Sequence, residues 1–432
     1  MTVRPWVAGL AGFALLAGCS AGDSRPAADA AGSASSSSPE QSEQPESSEQ
    51  PETTATAPKQ SGSAGQSPRA QQLRRQVKAM SVRQLAHQLQ VVTVAGRRPH
   101  RVSSDERAAN MRRFGVRTPA GVARTFRPGG MVYFDQNVST AQQVRALSGG
   151  LHRASRRAGL PTLLFTDQEG GLVSRLPGPV ADRQPAAREL GGDPRLARTS
   201  ARRMGSAMAG MGLDADFAPV ADVDTVGGDG VIGTRAFGSG PAVVSRMVRQ
   251  QICGYHRSGV AVSLKHWPGH GSTSVDSHQA LPQLSLPLTS WRSQHLVPFA
   301  AGVRAGADMV MTGHLAYERL DPSGRPASLS PRMTRGWLRG RLGFDGVIVT
   351  DSLSMSAVAA PGTAGRVAVQ ALRAGADLLL MSPSPTAAAD GIQAAVADGR
   401  LTRARLERSA LRVLRLKQDA GLLNRPQRLG RC

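Results

Sequence analysis

Long apolar runs, aromatic side chains and cysteines are all scarce in this 432-residue chain, and each shortage closes off a class of protein. The apolar run at residues 6–16 is too short to cross a bilayer as a stable helix. Aromatic residues make up 4% of the chain, and no basic block is interleaved with them, so a net charge of +22 does not read as a nucleic-acid surface. No Gly-x-Gly-x-x-Gly turn opens a first helix, which argues against an open dinucleotide-binding sheet. His266, His270 and His278 fall within thirteen residues, but no cysteine or glutamate lies near them to complete a ligand set. Pro268, Gly269 and Gly271 break any helix that would bring His266 and His270 onto one face, so neither a metal nor another cofactor is expected.

What is present begins with an address. Arg4 precedes the short apolar run, which ends in Leu16-Ala17-Gly18-Cys19. That tetrapeptide resembles a bacterial lipobox, implying cleavage before Cys19 and a lipid on its sulfur. Residues 1–18 are thus expected to be a signal peptide, and the protein to be exported and anchored to the outer face of the cytoplasmic membrane. Residues 19–72 are Ser, Ala, Gln, Glu, Pro and Gly with few large apolar groups, too little to offset the entropy of ordering, and should form a disordered tether. The positive charge is almost wholly arginine, scattered along helical stretches such as 403–415, which read as solvated faces suited to anionic wall polymers. Whether Cys253 and Cys432 pair is left open.

Residues 73–425 repeat one pattern. Short apolar runs at 90–94, 130–134, 162–166, 214–221, 260–265, 308–312, 346–350 and 377–381 alternate with longer amphipathic runs rich in Ala, Leu and Arg. Eight alternating βα units imply an α/β fold, a single (β/α)8 TIM-type barrel with an outer ring of helices. Several runs end in polar clusters: Asp167-Gln168-Glu169, Asp222-Val223-Asp224, Lys265-His266, His314 and Asp351. In such a barrel these ends converge on one mouth, where chemistry is done.

Asp276 and His278 stand two apart in a loop, which lets the carboxylate orient the imidazole, fix its tautomer and raise its pKa for proton transfer. Asp351 ends an apolar strand, a rigid mount suited to a nucleophile. His270, between glycines, reads as a turn residue, and Glu169 as a rival acid.

Lys265-His266-Trp267-Pro268-Gly269-His270-Gly271 with Asp276-Ser277-His278 resembles the signature of glycoside hydrolase family 3, in its β-N-acetylhexosaminidase branch. Asp167-Gln168-Glu169-Gly170-Gly171, Arg175, Phe217-Ala218-Pro219-Val220, Ile232-Gly233-Thr234-Arg235 and Thr350-Asp351-Ser352-Leu353 match it in order. The resemblance implies Asp351 as nucleophile, His278 as general acid/base oriented by Asp276, and Asp167, Arg175, Arg235, Lys265 and His266 as binders of a terminal sugar. It implies a retaining exo-β-N-acetylglucosaminidase acting on carbohydrate of peptidoglycan type. A phosphorylase and a non-catalytic sugar-binding protein are the alternatives. Many relatives carry a second acid where Ser352 stands, which leaves the Asp351 position untouched. His314 matches no assigned role.

Overall fold

The computed structural model describes residues 68–178, 184–227, 230–360, 362–423 and 429, so the signal peptide, Cys19 and Cys432 lie outside the described residues. Eight strands form the centre: β1 (Gln90–Val92), β2 (Gly130–Val132), β3 (Leu163–Thr166), β4 (Ala215–Asp216), β5 (Ala261–Trp267), β6 (Met309–Thr312), β7 (Val347–Thr350) and β8 (Leu379–Leu380). Each pairs in parallel with its neighbour in chain order, and β8 returns to β1 through Gln90↔Leu379. The remaining seam, between β7 and β8, is joined by a parallel bridge at Val349↔Leu378 and by Thr350 N–H donating to Leu378 C=O at 3.0 Å. The ring therefore closes as the alternating sequence implies, and helices cover it.

Every residue of β1, β2, β3, β6 and β7 is buried, because such strands have side chains both inside the barrel and under the helices. The expected fourth strand, 214–221, is regular only over Ala215–Asp216. Pro219 has no N–H to give to a ladder, and pairing resumes beyond it with Val220↔Lys265. The first helix, Pro68–Ala79, takes in residues 68–72 that composition assigned to the tether; Leu73 and Val77 bury its inner face.

The floor of the barrel carries a repeat. Gly212-Leu213-Asp214, Gly306-Ala307-Asp308 and Gly375-Ala376-Asp377 lead into β4, β6 and β8, and all three glycines have positive φ (77°, 86° and 128°) that turns the chain out of the preceding helix. Each aspartate then accepts an N–H from the strand before it: Leu164 to Asp214 at 2.8 Å, Val262 to Asp308 at 2.9 Å and Ile348 to Asp377 at 3.1 Å. A basic side chain from a helix binds the same oxygen: His152 at 2.9 Å, His256 at 2.7 Å and Arg339. Arg405 and Arg412 also turn inward to Asp377. The arginines of helix Arg403–Asp419 are thus not all a solvated face, because a buried carboxylate needs countercharge more than the surface does. Cys253, in helix Pro241–Arg257, is disulfide-bonded.

Candidate active site

The mouth of the barrel encloses a cavity of about 380 Å3 whose walls include Asp167, Glu169, Arg175, Arg235, Lys265, His266, Asp276, His278 and Asp351. All eight residues assigned from sequence to catalysis or sugar binding therefore meet in one place. Met311, Leu380 and Met381 give it an apolar side. Met381 adopts φ 52°, an unusual conformation for a side-chain-bearing residue, at the end of β8.

β5 delivers two neighbouring residues to the same cavity. Strand alternation would send Lys265 and His266 to opposite faces, but the register with β6 shifts between Leu264 and Trp267, and the irregularity re-aims them. Lys265 is 2% exposed, and its Nζ lies 2.7 Å from Asp167 Oδ1 and 2.6 Å from Glu169 Oε1. Burial works against its charge, yet the two carboxylates prevail and carry its pKa up to about 12. Arg235 donates to Glu169 twice, at 2.8 Å from Nε and 2.8 Å from Nη2. Burial alone would raise the Glu169 pKa, but Lys265 and Arg235 outweigh it and hold the carboxyl far below the ordinary range. Glu169 is therefore a counter-ion clamped between two cations, an environment that favours its ionised form.

Asp222, past β4, organises the next layer. It accepts the His266 N–H at 3.1 Å, the His266 ring at Nδ1 at 2.7 Å and the His270 N–H at 2.7 Å. This leaves His266 Nε2 facing Arg235 Nη2 at 3.5 Å. His270 meets Ser277 Oγ at 3.0 Å through Nε2, and burial drops its pKa to about 4, so it is a neutral turn residue that also touches the cavity.

Asp351 follows β7, and its backbone N–H donates to Thr312 C=O at 2.9 Å. Burial pushes its carboxyl pKa upward. The fields of His266 and His314, the Ser352 N–H at 2.7 Å and Lys265 together outweigh that and keep it below the ordinary carboxylate range. His278, by contrast, has a side chain 70% exposed, with Nδ1 2.8 Å from Asp276 Oδ1. The same oxygen accepts the His278 N–H at 2.9 Å, so Nε2 is turned outward. The loops of these two residues touch, Ser356 N–H donating to His278 C=O at 3.4 Å. Arg175 rests over Phe134 at 5.7 Å and near Asp135 at 3.6 Å, and its buried Nε has no hydrogen-bond partner among the described residues.

The sequence left out His314, and the geometry explains where it belongs. Its Nε2 donates to Ser352 C=O at 2.9 Å, its Nδ1 accepts from Ser328 Oγ at 2.7 Å, and Leu353 N–H is held by Leu380 C=O at 2.8 Å. The residue after Asp351 is thus pinned on both sides. The signal was its position after β6, in phase with the other strand-end groups; its partners lie 14 and 38 residues away and could not be read from spacing.

A family model described as the glycosyl hydrolase family 3 N-terminal domain matches residues 84–416. A beta-hexosaminidase of Stenotrophomonas maltophilia is 40% identical over 261 residues, covering 58% of this chain and 75% of that one. The structure of a glycoside hydrolase family 3 beta-N-acetylglucosaminidase from a Paenibacillus species is similar with a TM-score of 0.72 at 34% identity, over 81% of this chain and 64% of that one, so this chain spans less than two thirds of it. LpqI of M. tuberculosis is similar with a TM-score of 0.69 at 31% identity, over 80% of this chain and 96% of that one.

Proposed function

Given that the chain belongs to glycosyl hydrolase family 3 and is a glycoside hydrolase, we propose that it is a retaining exo-β-N-acetylglucosaminidase acting on wall-type glycans. The observation that carries this reading is one cavity lined both by a strand-end carboxylate held ionised, Asp351, and by an exposed imidazole tethered to a carboxylate, His278 with Asp276. In the first step Asp351 attacks the anomeric carbon. His278 gives its Nε2 proton to the glycosidic oxygen as that bond breaks, leaving a covalent glycosyl-enzyme. In the second step the same nitrogen takes a proton from water, whose oxygen displaces Asp351. Asp167, Arg175, Arg235, Lys265 and His266 bind the terminal sugar. Arg235 and Lys265 also keep the wall around Glu169 and Asp167 rigid. Export and lipid attachment at Cys19 belong to the same proposal, supported by the sequence of residues 16–19. Equal membrane retention of a Cys19→Ala variant would remove that part.

Comparing kcat/KM on aryl N-acetylglucosaminide and glucoside, with and without phosphate, tests the activity. A preference for the acetamido sugar with free sugar as product is expected. Parity or a glucoside preference refutes the specificity, sugar phosphate as product makes the protein a phosphorylase, and no turnover makes it a binding protein.

A further inference from the structure

A second cavity, of about 490 Å3, is lined by Arg97, Arg98, His100 and Arg101 from the loop after β1 and by Thr140 and Gln143 from the segment after β2. The loop's backbone is tied down at four points. Asn110 bonds both polar groups of Ala95, at 2.9 and 2.8 Å, and Asn137 Nδ2 donates to Gly96 C=O at 3.1 Å. Gln143 Nε2 donates to Arg97 C=O at 2.6 Å, and Ala120 N–H to Pro99 C=O at 2.9 Å. Pro99 also lies against Gly150, where an added Cβ would come within 2.5 Å of it. The cationic heads are treated differently. Arg98, His100 and Arg101 are exposed and have no ion-pair partner among the described residues, and Arg97 reaches only the carbonyl of Asp135, at 3.3 Å. Glu106 accepts the Ser103 N–H at 2.8 Å, and the Asp135 carboxylate faces Arg175 at 3.6 Å.

Crowding three guanidiniums and an imidazole into five residues on a fixed backbone raises the local positive potential without any return inside the fold, which is the mark of a surface arranged for a ligand. Guanidinium forks match carboxylate and phosphate oxygens. A chain of contacts through Asp135 links this cavity to the catalytic one. Asp135 offers its carbonyl to Arg97 and its carboxylate to Arg175, and Phe134, beneath Arg175, lines the catalytic cavity. We propose that the Arg97–Arg101 cavity is an anion-binding subsite, which receives a carboxylate or phosphate carried by the glycan beyond the sugar being removed. The inference rests on the glycosidase reading and narrows its substrate class to anionic glycans.

The test compares a neutral substrate, tetra-N-acetylchitotetraose, with a carboxylated one, a hyaluronan tetrasaccharide with N-acetylglucosamine at its non-reducing end, at fixed ionic strength. Wild type is expected to favour the carboxylated glycan, and Arg97→Gln/Arg98→Gln/Arg101→Gln to lose about tenfold in kcat/KM on it alone, as the sum of three exposed charge contacts. Turnover of the neutral tetrasaccharide and of a neutral aryl glycoside should be unchanged. No preference in wild type, or an equal loss on both glycans, overturns the proposal. Oligomers of glycerol phosphate added as competitor separate the two anions: competition that the triple variant lacks assigns phosphate, whereas preference without competition assigns carboxylate. If wild type cleaves neither glycan, the glycosidase reading fails. Titrating the carboxylated tetrasaccharide into the Asp351→Asn protein by calorimetry then still decides the subsite, with heat that the three glutamines abolish supporting it and no heat overturning it.

Discussion

Three aspartates on the floor of the barrel and several carboxylates at its mouth are all held by basic groups, yet they are held differently. On the floor, Asp214, Asp308 and Asp377 each take a neighbouring strand's N–H and a helix-borne base on one oxygen, and that arrangement recurs with each second strand. At the mouth nothing repeats. Glu169 is saturated by Lys265 and Arg235, Asp222 by two backbone N–H groups and an imidazole, while Asp351 and His278 line the cavity without such a clamp of cations. The floor uses buried charge to fix strand order and register. The mouth uses some charges to hold others still, so that a few groups are left available. Conserving geometry at one end and leaving capacity at the other is the division of labour expected of this barrel.

The sharpest break between the two ends is Asp351→Asn. It should lower kcat/KM at least about ten-thousand-fold, since a covalent nucleophile is lost, while the urea midpoint stays near that of wild type. An equal loss of stability would mean that Asp351 is a floor-type residue in the wrong place. His278→Ala should cost about a hundred- to ten-thousand-fold on a natural disaccharide, and less on an aryl glycoside whose leaving group needs little protonation. Azide should restore part of the second step, and Asp276→Asn should give a milder version. The same factor on both leaving groups, with no glycosyl-enzyme accumulating, removes His278 as the acid/base.

From the other end, Asp308→Ala strands His256 and the Val262 N–H in the interior and should cost about 3 kcal/mol in urea unfolding, with kcat per folded molecule unchanged. A drop in kcat would show that floor and mouth are coupled. His314→Ala sits between the extremes. Freeing Ser352 should reduce kcat by about ten- to a hundredfold with little change in KM and no leaving-group dependence. His314→Asn should recover part of this if its amide reaches the Ser352 carbonyl, and a leaving-group-dependent loss would instead give His314 a role in proton transfer.

The smallest effects are in pH. Burial holds His270, at the mouth, to a pKa of about 4, below its ordinary 6.5. Between those values the unfolded chain binds the extra proton, so stability is lost as pH falls from 6.5 to 4. Lys417, which donates to Gln88 Oε1 at 2.6 Å below β1, is lowered by burial from 10.5 to about 7. Here too the unfolded chain binds the extra proton, so stability rises with pH from about 7 toward 10.5. His270→Gln should flatten the acid limb of the unfolding profile and Lys417→Met the alkaline limb. Unchanged limbs would show that neither group is neutral in the folded protein.

Sequence by itself determined the eight strands, their alternation with helices and the polar groups at their ends, because apolar periodicity is a local property that the barrel only has to close. It also determined the Asp276–His278 pairing, since two residues apart in a loop are within reach whatever the fold. Only the tertiary structure decided which charges cancel. Lys265 and Asp167 meet across 98 residues, Arg235 and Glu169 across 66, and Arg412 and Asp377 across 35. At those separations a lone acid reads the same whether it will be clamped, as Glu169 is, or left facing a cavity, as Asp351 is. The difference arises only when closure removes water and forces each buried charge onto a partner.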